Sequence, residues 1–297
     1  MTEAKQTTFV LYHGPHCADG FAAAWSAAMA IGRGDNVKFI PVNYGEPVPE
    51  IPDGAVVYIL DFSYPREILL ELAGRASRVV VLDHHRTAQQ ALEGLDGTVP
   101  GLTVKFDMEK SGAVLAWEYF CPGETVPILC RYVQDRDLWQ WKLPNSREVS
   151  AALALEPRDF SRWSYLEINA EDLDADPPDG FHHPAWKVLV GRGQAILEIQ
   201  AKHIESIAKG AFLANVGGHR VPVVSSPLYQ SELGERLCHD FPDAPFAGVF
   251  SVGEHDELWS LRSRNGFDVS AVAKSLGGGG HAAAAGFRRP RVQLEVT

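Results

Sequence analysis

Three short apolar runs end abruptly in metal-ligating residues, and this pattern restricts the fold more than any other feature of the chain. TTFVLYH at 7–13 stops at His13, AVVYILDF at 55–62 carries Asp61, and SRVVVLDHH at 77–85 ends in Asp83, His84 and His85. NVKFIPV at 36–42 is a further run of the same kind. These runs are apolar throughout rather than alternating, so both faces of each strand must be covered. Helical segments lie between them: FAAAWSAAMAIG at 21–32, and PREILLELAG at 65–74 with Ile68, Leu69 and Leu72 at helical spacing. Alternating strands and helices of this type predict a parallel sheet with helices on both faces. In such sheets ligands bind beyond the carboxyl ends of the strands, which is where the polar residues fall.

Further along, GAVLAWEYF follows Ser111 as a helix, and VPILCRYVQDRDLW carries Asp135 and Asp137 near its end. The stretch EDLDADPPDGFHHP at 171–184 is rich in Asp and Pro and reads as a loop or domain edge. A long helical pattern covers 185–212 despite Gly191 and Gly193, and reads as a connector. From 213 onward short strands appear in HRVPVVSS, FAGVFSV and LWSLRSR, followed by the helical DVSAVAKSLG and by GGGGHAAAAGF. The expected organisation is therefore an α/β domain over 1–184, a helical connector over 185–212 and a smaller α/β domain over 213–297.

Composition narrows the function. The chain has 297 residues, 45% of them hydrophobic, which suffices for one large core or two smaller ones. Net charge is −11, so a broad basic face for long nucleic acid is not expected, although metal ions and a few arginines can reverse the potential inside one cleft. No apolar run is long enough to span a bilayer, and the N-terminus lacks a signal-peptide layout, so no membrane partner and a cytoplasmic setting are expected. The cysteines are Cys17, Cys121, Cys130 and Cys238, with no CxxC pair, and free thiols are expected.

As coordination chemistry, His13, Asp19, Asp61, His84 and Asp135 are mixed imidazole and carboxylate donors that suit Mn²⁺ or a similar ion. Two ions roughly 3.5–4 Å apart polarise a phosphoryl group and activate water, and they need a bridging carboxylate from the middle of the sheet. Asp61 is the candidate. A lone Asp after a strand is usually a cap or turn residue, whereas two adjacent histidines after a buried strand gain nothing for packing.

HGPHCADG, YILDF, VVVLDHH and YVQDRD, in this order, resemble the four motifs of the DHH phosphoesterase family, and GGGGHAAAAGF resembles the signature of that family's associated C-terminal domain. The resemblance runs from His13 to Phe287 and is strongest to the short members that act on oligoribonucleotides of a few residues, adenosine bisphosphate and linear dinucleotides. It implies two ions, Mn²⁺ with Mg²⁺ or Co²⁺ as substitutes. His13 would bind the first, Asp61 would bridge, and Asp19, His84 and Asp135 would complete the ligands of the second. Asp83 would orient His84, and His85 would face the phosphate as donor or general acid. Asp137 would cap the helix or pair at the surface.

One position departs from the family pattern. The first motif reads His, three residues, Asp, one residue, Asp, and the first Asp falls on Cys17. Either the thiolate ligates, or the first ion is weakly held, or His16 replaces the lost ligand. In the C-terminal domain the resemblance implies substrate contacts from Arg262, Ser263, Gly278, Gly279, Gly280 and His281, with the glycines at 277–280 letting amides approach a phosphate. Arg264 reads as solvated surface, and Arg86 as a phosphate clamp or an exposed helix start. Trp139 and Trp141 read as core residues or, alternatively, as a base-stacking pair.

The expected reaction is hydrolysis of short oligonucleotides or small nucleotides in a cleft between two domains, with hinge motion around 185–215. Rival readings are a pyrophosphatase or exopolyphosphatase, whose basic Ser-Arg-Lys-Lys-type cluster this chain lacks, and a non-catalytic nucleotide sensor with a weakened first metal position. A homodimer is an admissible assembly.

Overall fold

A computed structural model describes residues 6–168, 184–264 and 266–291. The segment expected as a loop or domain edge at 171–184 lies outside the described residues, apart from its last position. The chain divides into two compact units, Met1–Leu197 and Glu198–Thr297.

The first unit contains β1 (Thr8–His13), α1 (Ala18–Ile31), β2 (Val37–Val42), β3 (Val56–Leu60), α2 (Arg66–Arg75), β4 (Arg78–Asp83), α3 (Arg86–Ala91), β5 (Leu102–Phe106), α4 (Gly112–Phe120), α5 (Ile128–Asp137), α6 (Ser146–Leu153) and α7 (Phe160–Ile168). It also contains the first part of α8 (Pro184–Ala208). All five strands run parallel in the order β2-β1-β3-β4-β5. The apolar runs are indeed covered on both faces. Val10, Tyr12, Leu60, Val80 and Leu82 pack with Trp25, Trp163 and Trp186 on one side. Phe9, Leu11, Val57, Ile59, Val79 and Val81 pack with Leu69, Leu72 and Ala73 of α2 on the other. Successive residues of each strand thus feed opposite cores, as the pleat requires.

One helix start departs from the apolar pattern, and one helix carries an internal glycine, each for a local reason. Helix α1 starts three residues before the apolar run, because Cys17 accepts the Gly20 amide as its N-cap and Asp19 occupies the first turn. Gly193 sits inside α8 because a Cβ there would lie 1.9 Å from the Glu148 carbonyl oxygen, so this glycine permits a close backbone approach rather than a break.

The second unit contains the rest of α8, then β6 (Phe212–Val216), β7 (His219–Ser225), α9 (Gln230–Asp240), β8 (Ala247–Val252), β9 (Asp256–Arg262), α10 (Val269–Ser275), β10 (Gly279–Gly280) and β11 (Ala284–Pro290). Its six-stranded sheet has the order β10-β11-β9-β8-β7-β6, with only β7 and β8 parallel. Ala284 and Ala285 belong to β11 and pair with β9. Their small size suits a strand beside the stacked Trp259 and Phe287 rings, whose centroids are 5.6 Å apart. Among the described residues, no helix is long and apolar enough to cross a membrane.

Glu156, which is 6% exposed, ties three segments of the first unit together. It accepts hydrogen bonds from Arg162 Nε of α7 at 2.7 Å and Arg192 Nη1 of α8 at 2.6 Å. The Arg162 hydrogen bond, aided by that of Arg192, outweighs burial and lowers the carboxyl pKa. A lowered carboxyl pKa stabilises above the unfolded value of about 4.3, and the contribution disappears as pH falls through the folded value beneath it. Glu156→Gln is therefore expected to cost about 1–2 kcal/mol near neutral pH. In thermal melts compared with the parent chain, that difference should vanish in acid; a difference independent of pH would refute the assignment.

Candidate metal centre

Strand order 2-1-3-4-5 reverses direction between β1 and β3, so the carboxyl ends of these strands form the crevice of the sheet. His13 is the last residue of β1, Asp61 follows β3, and His84 and His85 follow β4. Two glycines allow the rest to close in. A Cβ at Gly20 would lie 1.9 Å from the His13 carbonyl oxygen, so glycine alone lets the start of α1 press against the end of β1. A Cβ at Gly112 would lie 2.5 Å from Asp61 Cβ, so α4 can begin directly against Asp61. That helix start holds Asp19: Gly112 N donates to Oδ2 at 2.6 Å and Ala113 N to Oδ1 at 2.9 Å. Asp61 itself adopts φ 63°, a left-handed conformation that non-glycine residues hold only under local constraint.

The result is two donor groups sharing one carboxylate. His13, Cys17 and Asp61 form one, and Asp19, Asp61 and His84 form the other, with the donor atoms of each group within 4.8 Å of one another. Asp61 Oδ2 lies 3.4 Å from Cys17 Sγ and 3.6 Å from His13 Nδ1. Asp61 Oδ1 lies 3.1 Å from His84 Nε2. The same nitrogen is 3.6 Å from Asp19 Oδ2 and 3.5 Å from Asp137 Oδ2.

The electrostatics of this cluster call for a cation. Burial, followed by the charges of Asp61 and Asp137, raises the Asp19 carboxyl well above its ordinary range. Burial, with the charge of Asp61, also raises Asp137. The Cys17 thiol is pushed well up by burial and by the neighbouring carboxylates, Asp61 foremost. For Asp61, burial is outweighed by hydrogen bonds from His13 and His84, which hold it far below the carboxylate range. His84 is the counterpart: burial is overcome by the Asp61 hydrogen bond and by Asp137, raising it to about 10. In the metal-free protein an imidazolium thus supplies the positive charge that these donors need. The donor set fits divalent ions, and Asp137 Oδ2 is buried without a hydrogen-bond partner among the described residues.

Two sequence expectations are corrected by this geometry. Asp135 does not reach the cluster: its carboxylate accepts Lys142 N at 2.9 Å and Leu143 N at 3.2 Å, folding the turn after α5 around itself. Asp137, two residues on, is the carboxylate that faces His84. Asp83 does not hold the His84 ring. Its Oδ1 accepts the His84 and His85 amides at 2.7 and 3.1 Å and lies 2.7 Å from His85 Nδ1, while Ser63 Oγ donates to Oδ2 at 2.6 Å. The His84 ring turns to Asp61 instead, and Asp83 orients His85. Burial alone would lower His85, but the Asp83 charge and hydrogen bond prevail and raise it.

His16, considered as a substitute ligand, is exposed and belongs to neither donor group, while its carbonyl accepts from Arg158 Nη2 at 3.3 Å. Tyr44 carries no sequence signal, yet its ring centroid lies 4.9 Å from that of His13 and 5.7 Å from that of His85. Ser63 and Gly112 are likewise silent in the sequence, since neither belongs to a chemical motif. Trp139 and Trp141 belong to no core cluster among the described residues. Both have positive φ, and Arg136 stacks 4.4 Å from the Trp139 centroid.

In the second unit, the Arg262 guanidinium donates to Ser260 Oγ at 2.8 Å, Leu261 O at 2.9 Å and Ser231 Oγ at 2.7 Å. Ser263 Oγ donates to Phe267 O at 2.5 Å. Gly279 and Gly280 form β10, which pairs with β11 through a tight turn in which His281 N donates to Ala284 O at 2.8 Å. A Cβ at Gly278 would lie 2.0 Å from the Gly286 carbonyl oxygen. Strand packing by itself therefore requires glycine there.

No family model matches the chain. It is 31% identical over 303 residues to uncharacterized protein R106 of Acanthamoeba polyphaga mimivirus, covering 95% of this chain and 67% of that protein. It is 25% identical over 293 residues to oligoribonuclease NrnB of Bacillus subtilis (strain 168), covering 90% of this chain and 70% of that protein. Among solved structures, RecJ of Thermus thermophilus in complex with Mn²⁺ aligns with TM-score 0.47 and 17% identity, over 95% of this chain and 49% of that one. That score lies below 0.5, and it is the sequence relatives and the motif set that define the family. The chain belongs to the DHH phosphoesterase family.

The two aspartates of α5 give opposite expectations. Asp137→Asn should weaken divalent-ion binding in calorimetric titrations by at least the roughly 10–100-fold that accompanies loss of a supporting partner. Asp135→Asn should instead lower thermal stability by about 1–3 kcal/mol, because an amide NH₂ would face a backbone donor. Equal effects on metal affinity would contradict the distinction.

Proposed function

We propose that this protein is a metal-dependent phosphoesterase that hydrolyses phosphodiester or phosphomonoester bonds in short oligonucleotides or small nucleotides. The observation that carries the reading is Asp61, whose two oxygens face two different donor groups. Two divalent ions of the Mn²⁺ class, when bound, supply phosphoryl polarisation and water activation. His13, Asp61 and the residue at 17 would hold one, and Asp19, Asp61, His84 and Asp137 the other. His85 is the general acid. Asp83 accepts the Nδ1 proton and its charge favours the imidazolium, so both ring nitrogens carry protons and Nε2–H passes its proton to the leaving oxygen as the P–O bond breaks and water adds to phosphorus.

A short substrate is favoured by the net charge of −11, which offers no broad basic surface. NrnB is an oligoribonuclease, and its likeness over most of this chain supports the same substrate class. We assign catalysis to 1–184, a connector to 185–212 and substrate binding to 213–297, where Arg262, Ser263, Gly278, Gly279, Gly280 and His281 are the proposed contacts. The proposed setting is the cytoplasm.

A panel of short oligonucleotides, linear dinucleotides, adenosine bisphosphate and pyrophosphate, assayed with Mn²⁺, tests the reading. Mononucleotide or nucleoside release is expected, and orthophosphate release from pyrophosphate alone would overturn it. Asp61→Asn should abolish turnover while the fold, followed by circular dichroism, persists. His85→Ala should lower kcat by about 10²–10⁴-fold on a dinucleotide. The loss should shrink on a nitrophenyl ester, whose leaving group needs no proton; an equal loss on both substrates would remove His85 from the acid role.

A further inference from the structure

We propose that the two metal positions differ in kind: the His13–Cys17–Asp61 position takes a borderline, tetrahedral-preferring ion such as Co²⁺ or Zn²⁺ through the Cys17 thiolate, while the position at Asp19, Asp61 and His84 takes a harder ion such as Mn²⁺. This inference rests on the proposed function and refines its metal content.

Three observations support it. The first is donor chemistry. One group offers nitrogen, sulfur and oxygen, and the other offers one nitrogen with carboxylate oxygens only. Thiolates select borderline and soft ions, and carboxylates select hard ones. The second is proximity. Asp61 Oδ2 is 3.4 Å from Cys17 Sγ and 3.6 Å from His13 Nδ1, so the sulfur stands where an ion held by His13 and Asp61 would meet it.

The third is that simpler roles leave the cysteine unexplained. Its sulfur caps α1 by accepting the Gly20 amide at 3.4 Å, a duty that Asp, Ser or Asn performs better. It is only half-buried, so it is not a core hydrophobe, and it forms no disulfide. The α1 amino end and the Gly20 amide both favour negative charge on the sulfur once an ion displaces its proton to solvent.

The test is titration of the metal-free full-length protein with Co²⁺ alone, followed by absorbance. The wild type should show a near-ultraviolet thiolate-to-cobalt charge-transfer band together with visible cobalt bands. Cys17→Ser should lose the near-ultraviolet band and bind its first Co²⁺ at least about tenfold more weakly. Cys17→Asp, which restores an oxygen donor and a strong helix cap, should also lose that band and shift the Co²⁺-to-Mn²⁺ preference toward Mn²⁺. Visible cobalt bands without the charge-transfer band in the wild type, or the band persisting in either variant, would overturn this inference and leave the phosphoesterase reading standing. Failure of the wild type to bind Co²⁺ or Mn²⁺ at all would overturn both.

Discussion

Negative and proton-holding donors crowded at the carboxyl end of one sheet are the constraint around which the first unit is built. Asp19, Asp61 and Asp137 surround a single imidazole, His84, and Cys17 lies against Asp61. Removing several carboxylates from water to one spot is unfavourable unless positive charge or aligned dipoles answer them. The fold answers in two ways. The amino end of α4 takes Asp19 through two amides. The charge of His84 offsets Asp61. One imidazolium is too little for three carboxylates: Asp19 and Asp137 stay raised, and Asp137 Oδ2, 3.5 Å from His84, has no hydrogen-bond partner among the described residues, which is a charge deficit that a cation would fill.

Backbone geometry makes this crowding possible. Asp61 turns into the left-handed region immediately after β3, which aims both of its oxygens across the crevice instead of along the strand. Gly112 yields the space that a side chain would take from Asp61, and Gly20 lets α1 start against the last residue of β1. Each position looks like an ordinary helix start in the sequence. In the structure they set the separation between donors that come from residues 13 to 137. A rigid sheet with ligands at its strand ends is a precise support for such a site, because neighbouring strands keep a fixed spacing.

Much of this is legible in the sequence, for identifiable reasons. Short apolar runs without alternation, set between helical segments, read as doubly covered strands, and a ligand at the end of such a run falls where α/β sheets bind. His13, Asp19, Asp61 and His84 emerge in this way, and the structure brings them together. The choice between Asp135 and Asp137 is not legible. Both lie at the end of α5, and the turn after the helix, with Trp139 and Trp141 in left-handed conformations, decides which carboxylate is consumed by backbone amides. The Asp83–His85 pairing escapes for a similar reason: from sequence spacing alone, a carboxylate beside two histidines has no preferred partner. Tyr44 lies beyond β2 with no motif around it, so only the tertiary fold brings its ring beside His13 and His85.

The same competition between structural and chemical duties governs the second unit. Arg262 satisfies two serine hydroxyls and a carbonyl, and Gly234 of α9 leaves room for its stem, since a Cβ there would lie 2.6 Å from Arg262 Cγ. A guanidinium held this firmly has little rotamer freedom left to lose, and its first duty is to tie α9 to β9. The glycines at 278–280 follow a different logic. Gly278 and Gly280 are compelled by their closeness to β11, so the sequence motif there reports strand packing before it reports any ligand. A motif shared across a family can therefore be fixed by the backbone it permits as much as by the substrate it meets. The metal centre is the opposite case: none of its donors is needed to complete the apolar cores, and their convergence has its physical reason in the charge they would bind.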